Sequence, residues 1–124
     1  MEWFTLPSRS LDAFGSQGVR LDQATVVGGD GDFSILVAHY EPGGIIGRHR
    51  TRIWQFFAVL SGRGWVSGKD VGSMPIGEGE AVLWEPGEEH QSTASEPMVA
   101  LIVLSKSRPP LEAALRSIEA SARN

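Results

Sequence analysis

The sequence predicts an all-β domain: a sandwich or barrel of many short strands, followed by one helix at the C-terminal end. Three observations carry this. Fifteen glycines and seven prolines cut the chain into short pieces, and a chain that turns so often suits antiparallel strands. Apolar residues recur with a period of two in several of those pieces. Helical spacing of apolar residues is confined to the tail.

Taken in order, Asp30-Gly31 is a hairpin-turn dipeptide, which predicts that residues 23–28 pair with residues 33–41. Within 33–41, Ile35, Val37 and His39 alternate with Leu36, Ala38 and Tyr40. Residues 53–60 form the strongest strand. Residues 65–67, 81–85 and 98–106 follow as further strands. In the tail, Pro109-Pro110 suits a first helical turn. Leu111, Ala114, Leu115, Ile118 and Ala122 then make one apolar stripe, with Glu112 and Arg116 paired on the other face. This predicts a helix over about 110–120, laid on a barrel spanning about 17–106.

At 124 residues the chain has the length of one domain with one modest core. A hydrophobic content of 41% marks it as globular. The net charge of −4 gives no electrostatic footprint for nucleic acid, although Arg48, Arg50 and Arg52 form a local basic cluster. With no cysteine, neither a disulfide framework nor a thiolate metal site is available. No apolar run approaches the roughly 20 residues of a membrane-spanning helix. The first residues lack the charged and apolar regions of a signal peptide. A cytoplasmic protein without membrane contact is the expectation.

Two glycine-punctuated blocks stand out. In the first, Gly43, His49 and Gly62 keep a fixed spacing, with Thr51 and Gln55 between them. In the second, Gly79, Gly87 and His90 do the same, with Glu85-Pro86 before Gly87 and Ala94 after His90. This framework resembles the two motifs of the cupin superfamily, G-x5-H-x-H-x3,4-E-x6-G and G-x5-P-x-G-x2-H-x3-N. Thr51 stands in the place of the second histidine and Gln55 in that of the glutamate. Glu85 replaces the proline, and Ala94 the asparagine. The resemblance covers about residues 42–94 and implies a small single-domain cupin, a jelly-roll barrel that commonly dimerises. A typical cupin site holds a divalent transition metal on three histidines and one glutamate.

Side chains alternate along a strand, so His49, Thr51 and Gln55 share a face with Ile53, Phe57 and Val59 if the stretch stays regular. In the resemblance that face lines the barrel and His90 joins it. The expected ligand pocket is therefore His49, Thr51, Gln55, Phe57, Trp84 and His90. The expected metal set is His49, Gln55 and His90, for Zn, Fe, Mn or Ni. Such a set lacks a carboxylate and holds an ion more weakly than the parent one. Glu88 and Glu89 supply a carboxylate only if their loop folds inward; otherwise they are solvated loop charges. Alternatively, Gln55 hydrogen-bonds one of the histidines and no ion is needed. His39 reads as a satisfied structural histidine, and Gly28-Gly29-Asp30-Gly31 as a turn.

Trp54, Phe56, Ala58 and Leu60 make the opposite face of the 53–60 strand apolar as well. That face needs a cover, and the resemblance favours a homodimer built partly on Trp54 and Phe56. Three functions follow as expectations. The first is a binding module for a small organic ligand, with or without a weakly held metal. The second is a metal-dependent oxygenase, lyase or isomerase acting through His49, Gln55 and His90. The third is a structural or regulatory dimer with an inert cavity.

Overall fold

The structure, a computed structural model, describes residues 1–24 and 32–111. The expected turn at Asp30-Gly31 and the body of the expected helix beyond Leu111 lie outside the described residues. Within them the chain forms nine strands and a short 3-10 turn. These are β1 (Ser8–Ser10), the turn Ala13–Gly15, β2 (Gln17–Gln23), β3 (Phe33–Arg50), β4 (Trp54–Ser61), β5 (Arg63–Ser67), β6 (Met74–Gly77), β7 (Ala81–Trp84), β8 (Glu89–Ala94) and β9 (Met98–Ser105).

The strands hydrogen-bond in the order β6-β5-β8-β3-β9-β4-β7, with β2 also on β3 and β1 on β2. Every pairing is antiparallel. The sheet rolls into a nearly closed barrel with β6 and β7 at its free ends.

β3 is the strand that shapes it. Its first half pairs with β9, from Phe33↔Ser105 to Tyr40↔Met98. Its second half pairs with β8, from Ile45↔Thr93 to Arg50↔Glu89. The strand therefore turns a corner at Pro42-Gly43-Gly44. Gly43 has φ 77°, a conformation that favours glycine. A Cβ on Gly44 would lie 2.6 Å from the Gly18 carbonyl oxygen, so only glycine lets β2 cross so closely.

Period-two burial follows. Leu36, Ala38 and Tyr40 of β3 point inward, as do Phe57 and Val59 of β4 and Met98, Ala100 and Ile102 of β9. Burying a side chain the size of Phe57 contributes roughly 2–3 kcal/mol. Tyr40 is part of this core, and its hydroxyl meets Ser92 Oγ at 2.7 Å.

Three expectations about strands are corrected. The partner of β3 on this side is β2, whose described pairs run from Gln17↔Ile45 to Gln23↔Leu36 and so lie ahead of most of the expected 23–28, of which residues 25–28 are outside the described residues. Glu89, expected in a loop with Glu88, lies with His90 within a strand, β8. The stretch from His49 to Gln55 is irregular: β3 ends at Arg50 and β4 begins at Trp54. The two sites are brought together by strand pairing and not by alternation along one strand.

Candidate functional site

β3 and β8 place His49 directly across from His90. A register shift lies between Ile46 and His49, and such a bulge re-aims the side chains beyond it. The two imidazole centroids stand 4.3 Å apart. Both rings are fixed by the same kind of bond. His49 Nδ1 lies 2.8 Å from the Gly47 carbonyl, and His90 Nδ1 lies 3.1 Å from the Glu88 carbonyl. A carbonyl only accepts, so each Nδ1 carries the hydrogen, and the lone pair of a neutral ring then lies on Nε2.

His90 is 2% exposed. Its Nε2 is the one buried side-chain nitrogen or oxygen without a hydrogen-bond partner among the described residues. Burial pushes its pKa down to about 4, against the opposing pull of the Glu88 carbonyl bond. At neutral pH the site thus presents an uncharged, buried, unsatisfied acceptor. Leaving such a group unpaired costs about 1–3 kcal/mol.

Aromatic rings enclose the pair. Trp84 stacks on His90 at 4.2 Å and 26°, and Phe57 follows behind Trp84 at 5.5 Å. The Trp84 indole donates to the Ser67 carbonyl at 3.1 Å, which anchors the ring at 4% exposure. It is a wall of the interior. On the other side Phe14 stacks on His49 at 4.0 Å. The result is one ladder of rings from the surface to the core: Phe14, His49, His90, Trp84, Phe57.

The remaining expected site residues are placed as follows. Gln55 points inward, 8% exposed, on the face of Phe57. Thr51 is buried, but its hydroxyl donates to the Ile53 carbonyl at 2.8 Å and so stabilises the β3–β4 turn. Glu88 does not face the histidines with its carboxylate. It accepts from the Glu85 and Lys69 amides at 3.0 and 3.1 Å, tying two loops together. Glu89 faces outward, with Arg48 at 3.0 Å and Arg50 at 3.6 Å. Two clefts, of about 480 and 640 Å³, lie on the outside of the barrel and are lined by neither His49 nor His90. His39 is on the outer face, paired to Asp22 at 2.9 Å. The Ser8 and His39 bonds hold the Asp22 carboxyl below its ordinary value.

The donor set decides what metal chemistry is open. Two imidazoles with free Nε2 atoms suit a transition metal. Among the described residues, however, no group of three or more His, Cys, Asp or Glu is placed to hold an ion. Glu88 and Glu89 are engaged elsewhere, and Gln55 is neutral. These residues do not fit a resident, tightly held metal.

Sequence reasoning missed Phe14. Its contact is between residues far apart in the chain, and the signal at hand was an apolar residue inside a Gly15-containing turn.

A family model described as a cupin domain matches residues 36–104. No curated protein matches the chain. Among solved structures, the polyketide cyclase RemF from Streptomyces resistomycificus superposes with a TM-score of 0.71 at 20% identity, over 98% of this chain and 90% of that one. A cupin-like protein from Thermotoga maritima gives 0.71 at 18% identity, covering 86% and 82%. An RmlC-like cupin from Shewanella frigidimarina gives 0.69 at 15% identity, covering 87% and 94%. At these identities the likeness is one of fold.

Proposed function

The chain belongs to the cupin family, and we propose that it binds a small organic molecule at the His49–His90 end of the barrel. The observation that carries this reading is His90 Nε2: buried, neutral, unpartnered, and held in one tautomer by the Glu88 carbonyl. A ligand that donates an O–H or N–H to this atom and lays apolar surface against Trp84 removes a desolvation penalty the free protein carries. Gln55 adds an amide to the same interior face. His49 and His90 are the polar contacts, and Phe57 and Trp84 the apolar wall.

A second reading, in which His49, Gln55 and His90 hold a divalent ion for oxygenase, lyase or isomerase chemistry, draws on the two free Nε2 atoms. The missing carboxylate weighs against it. We also propose a homodimer that covers the outer face of β4 at Trp54 and Phe56.

A thermal-shift screen of small organic molecules in EDTA at neutral pH tests the first reading. Asparagine places an amide near the Nδ1 position and removes Nε2, so His90→Asn isolates the proposed contact. A ligand at about 100 times its dissociation constant adds about 2.7 kcal/mol of stability to the wild type. That gain disappears in His90→Asn. Ligands that stabilise both proteins equally, or stabilisation only by divalent ions, count against the proposal.

A further inference from the structure

Phe14 combines three properties that conflict in a purely structural residue. Its φ is 63°, the one positive value at a non-glycine position among the described residues, and a bulky side chain is disfavoured there. It is 55% exposed, so its ring gains little burial. Yet that ring is stacked on His49 almost parallel, with centroids 4.0 Å apart and planes at 6°.

The turn that carries it is held at the rim by Gly47. The Gly47 amide donates to Ser16 Oγ at 3.1 Å. A Cβ on Gly47 would come within 1.8 Å of the Phe14 carbonyl oxygen, so a bare backbone is required for the turn to seat. The turn itself buries no residue. It is a small, strained cover attached by few bonds to the outer end of the His49–His90 ladder.

Resting on the reading of this barrel end as a ligand site, we propose that Phe14 holds the place of a planar aromatic ligand. When the turn Ala13–Gly15 lifts, the ligand's ring takes over the face of His49 that Phe14 now covers. A flat π-system reproduces a parallel contact of this kind, whereas a saturated ring does not. Releasing Phe14 relieves its backbone and loses little buried surface. The site is thereby selective for aromatic over aliphatic rings, and its affinity is lowered by the fraction of time the cover is closed.

The probe is 2-naphthol, with decahydro-2-naphthol as its saturated counterpart, titrated calorimetrically into wild type, Phe14→Ala and Phe14→Leu. Leucine keeps bulk without a flat ring, and circular dichroism confirms the fold of each variant. Opening the cover is expected to tighten 2-naphthol binding about fivefold or more in both variants, with little change for the saturated compound, and His49→Ala abolishes the binding. Unchanged or weaker 2-naphthol binding in both variants overturns the proposal, as does an equal gain by the saturated compound or no binding of 2-naphthol to any of the proteins. If 2-naphthol fails while other molecules stabilise the wild type and not His90→Asn, the aromatic preference falls and the ligand site stands. If neither occurs, both fall.

Discussion

Trp84 lies on His90 with ring centroids 4.2 Å apart and planes tilted by 26°, and this contact joins the hydrophobic core to the candidate site. The same indole meets Phe57, a residue with no exposed surface, at 5.5 Å. Packing and site chemistry are therefore linked through one side chain, and the two respond differently to its replacement.

Trp84→Ala removes the ring that contacts both Phe57 and His90 and is expected to cost about 3–5 kcal/mol in urea unfolding. Trp84→Phe keeps a ring but loses the bond from the indole to the Ser67 carbonyl, leaving that carbonyl without its partner. The expected cost is about 1–3 kcal/mol. Equal losses in the two variants would show that the indole bond, and not the stacking, sets the stability here.

Stability depends on pH through His90. Its folded value of about 4 lies below the ordinary 6.5, chiefly because burial disfavours the charged ring. Above pH 6.5 both the folded and unfolded rings are neutral and this group adds no pH dependence. Between pH 6.5 and about 4 the unfolded chain binds the proton first, so stability falls as pH falls. At about 1.4 kcal/mol per unit, the full loss is on the order of 3 kcal/mol. Urea unfolding from pH 7.5 to 4 measures it, and His90→Asn flattens the slope across that window. An unchanged slope in the variant assigns the effect elsewhere.

Metal content follows from the donor set. With two imidazoles, a neutral amide and no third His, Cys, Asp or Glu placed beside them among the described residues, protein purified without chelator is expected to carry Fe, Mn, Ni and Zn well below one equivalent, and EDTA to leave its melting temperature unchanged. Near-stoichiometric metal that is lost in His90→Ala favours the metal-dependent enzyme.

Much of the barrel was legible in the sequence because its longest strands bury one apolar face. Residues 53–60 and 33–41 alternate, and β4 and the first half of β3 lie there. The expected 81–85 and 98–106 strands are β7 and β9 to within a residue. β8 was not legible. It turns His90, Ser92 and Ala94 inward, so no apolar alternation marks Glu89 to Thr93 as a strand. β1 is exposed throughout and has no pattern to read. The glycine framework pointed to His49 and His90. It did not reveal how they meet, because that depends on the corner at Gly43-Gly44 and on pairing across 41 residues of sequence, the separation also of the Arg48–Glu89 contact. The outward turn of Glu89 and the use of Glu88 as a loop tie are likewise set by partners distant in the chain.

The outer face of β4 predicts assembly. Trp54, Phe56 and Ala58 are half-buried in one chain, and the Arg108 guanidinium sits 5.2 Å from the Trp54 ring centre. Sedimentation at high micromolar concentration is expected to give about twice the 13.4 kDa of one chain. Phe56→Glu returns it to the single-chain mass. A wild type that sediments as a monomer rules the dimer out.

The most direct measurement is the nitrogen spectrum of histidine-labelled protein at neutral pH, taken with EDTA and then with a stabilising organic ligand. His90 is expected to be neutral, protonated on Nδ1 alone and unaffected by EDTA, and its Nε2 signal to move when the ligand binds. A His90 resonance that responds to EDTA, or an Nε2 signal that stays in place while the ligand saturates, contradicts this.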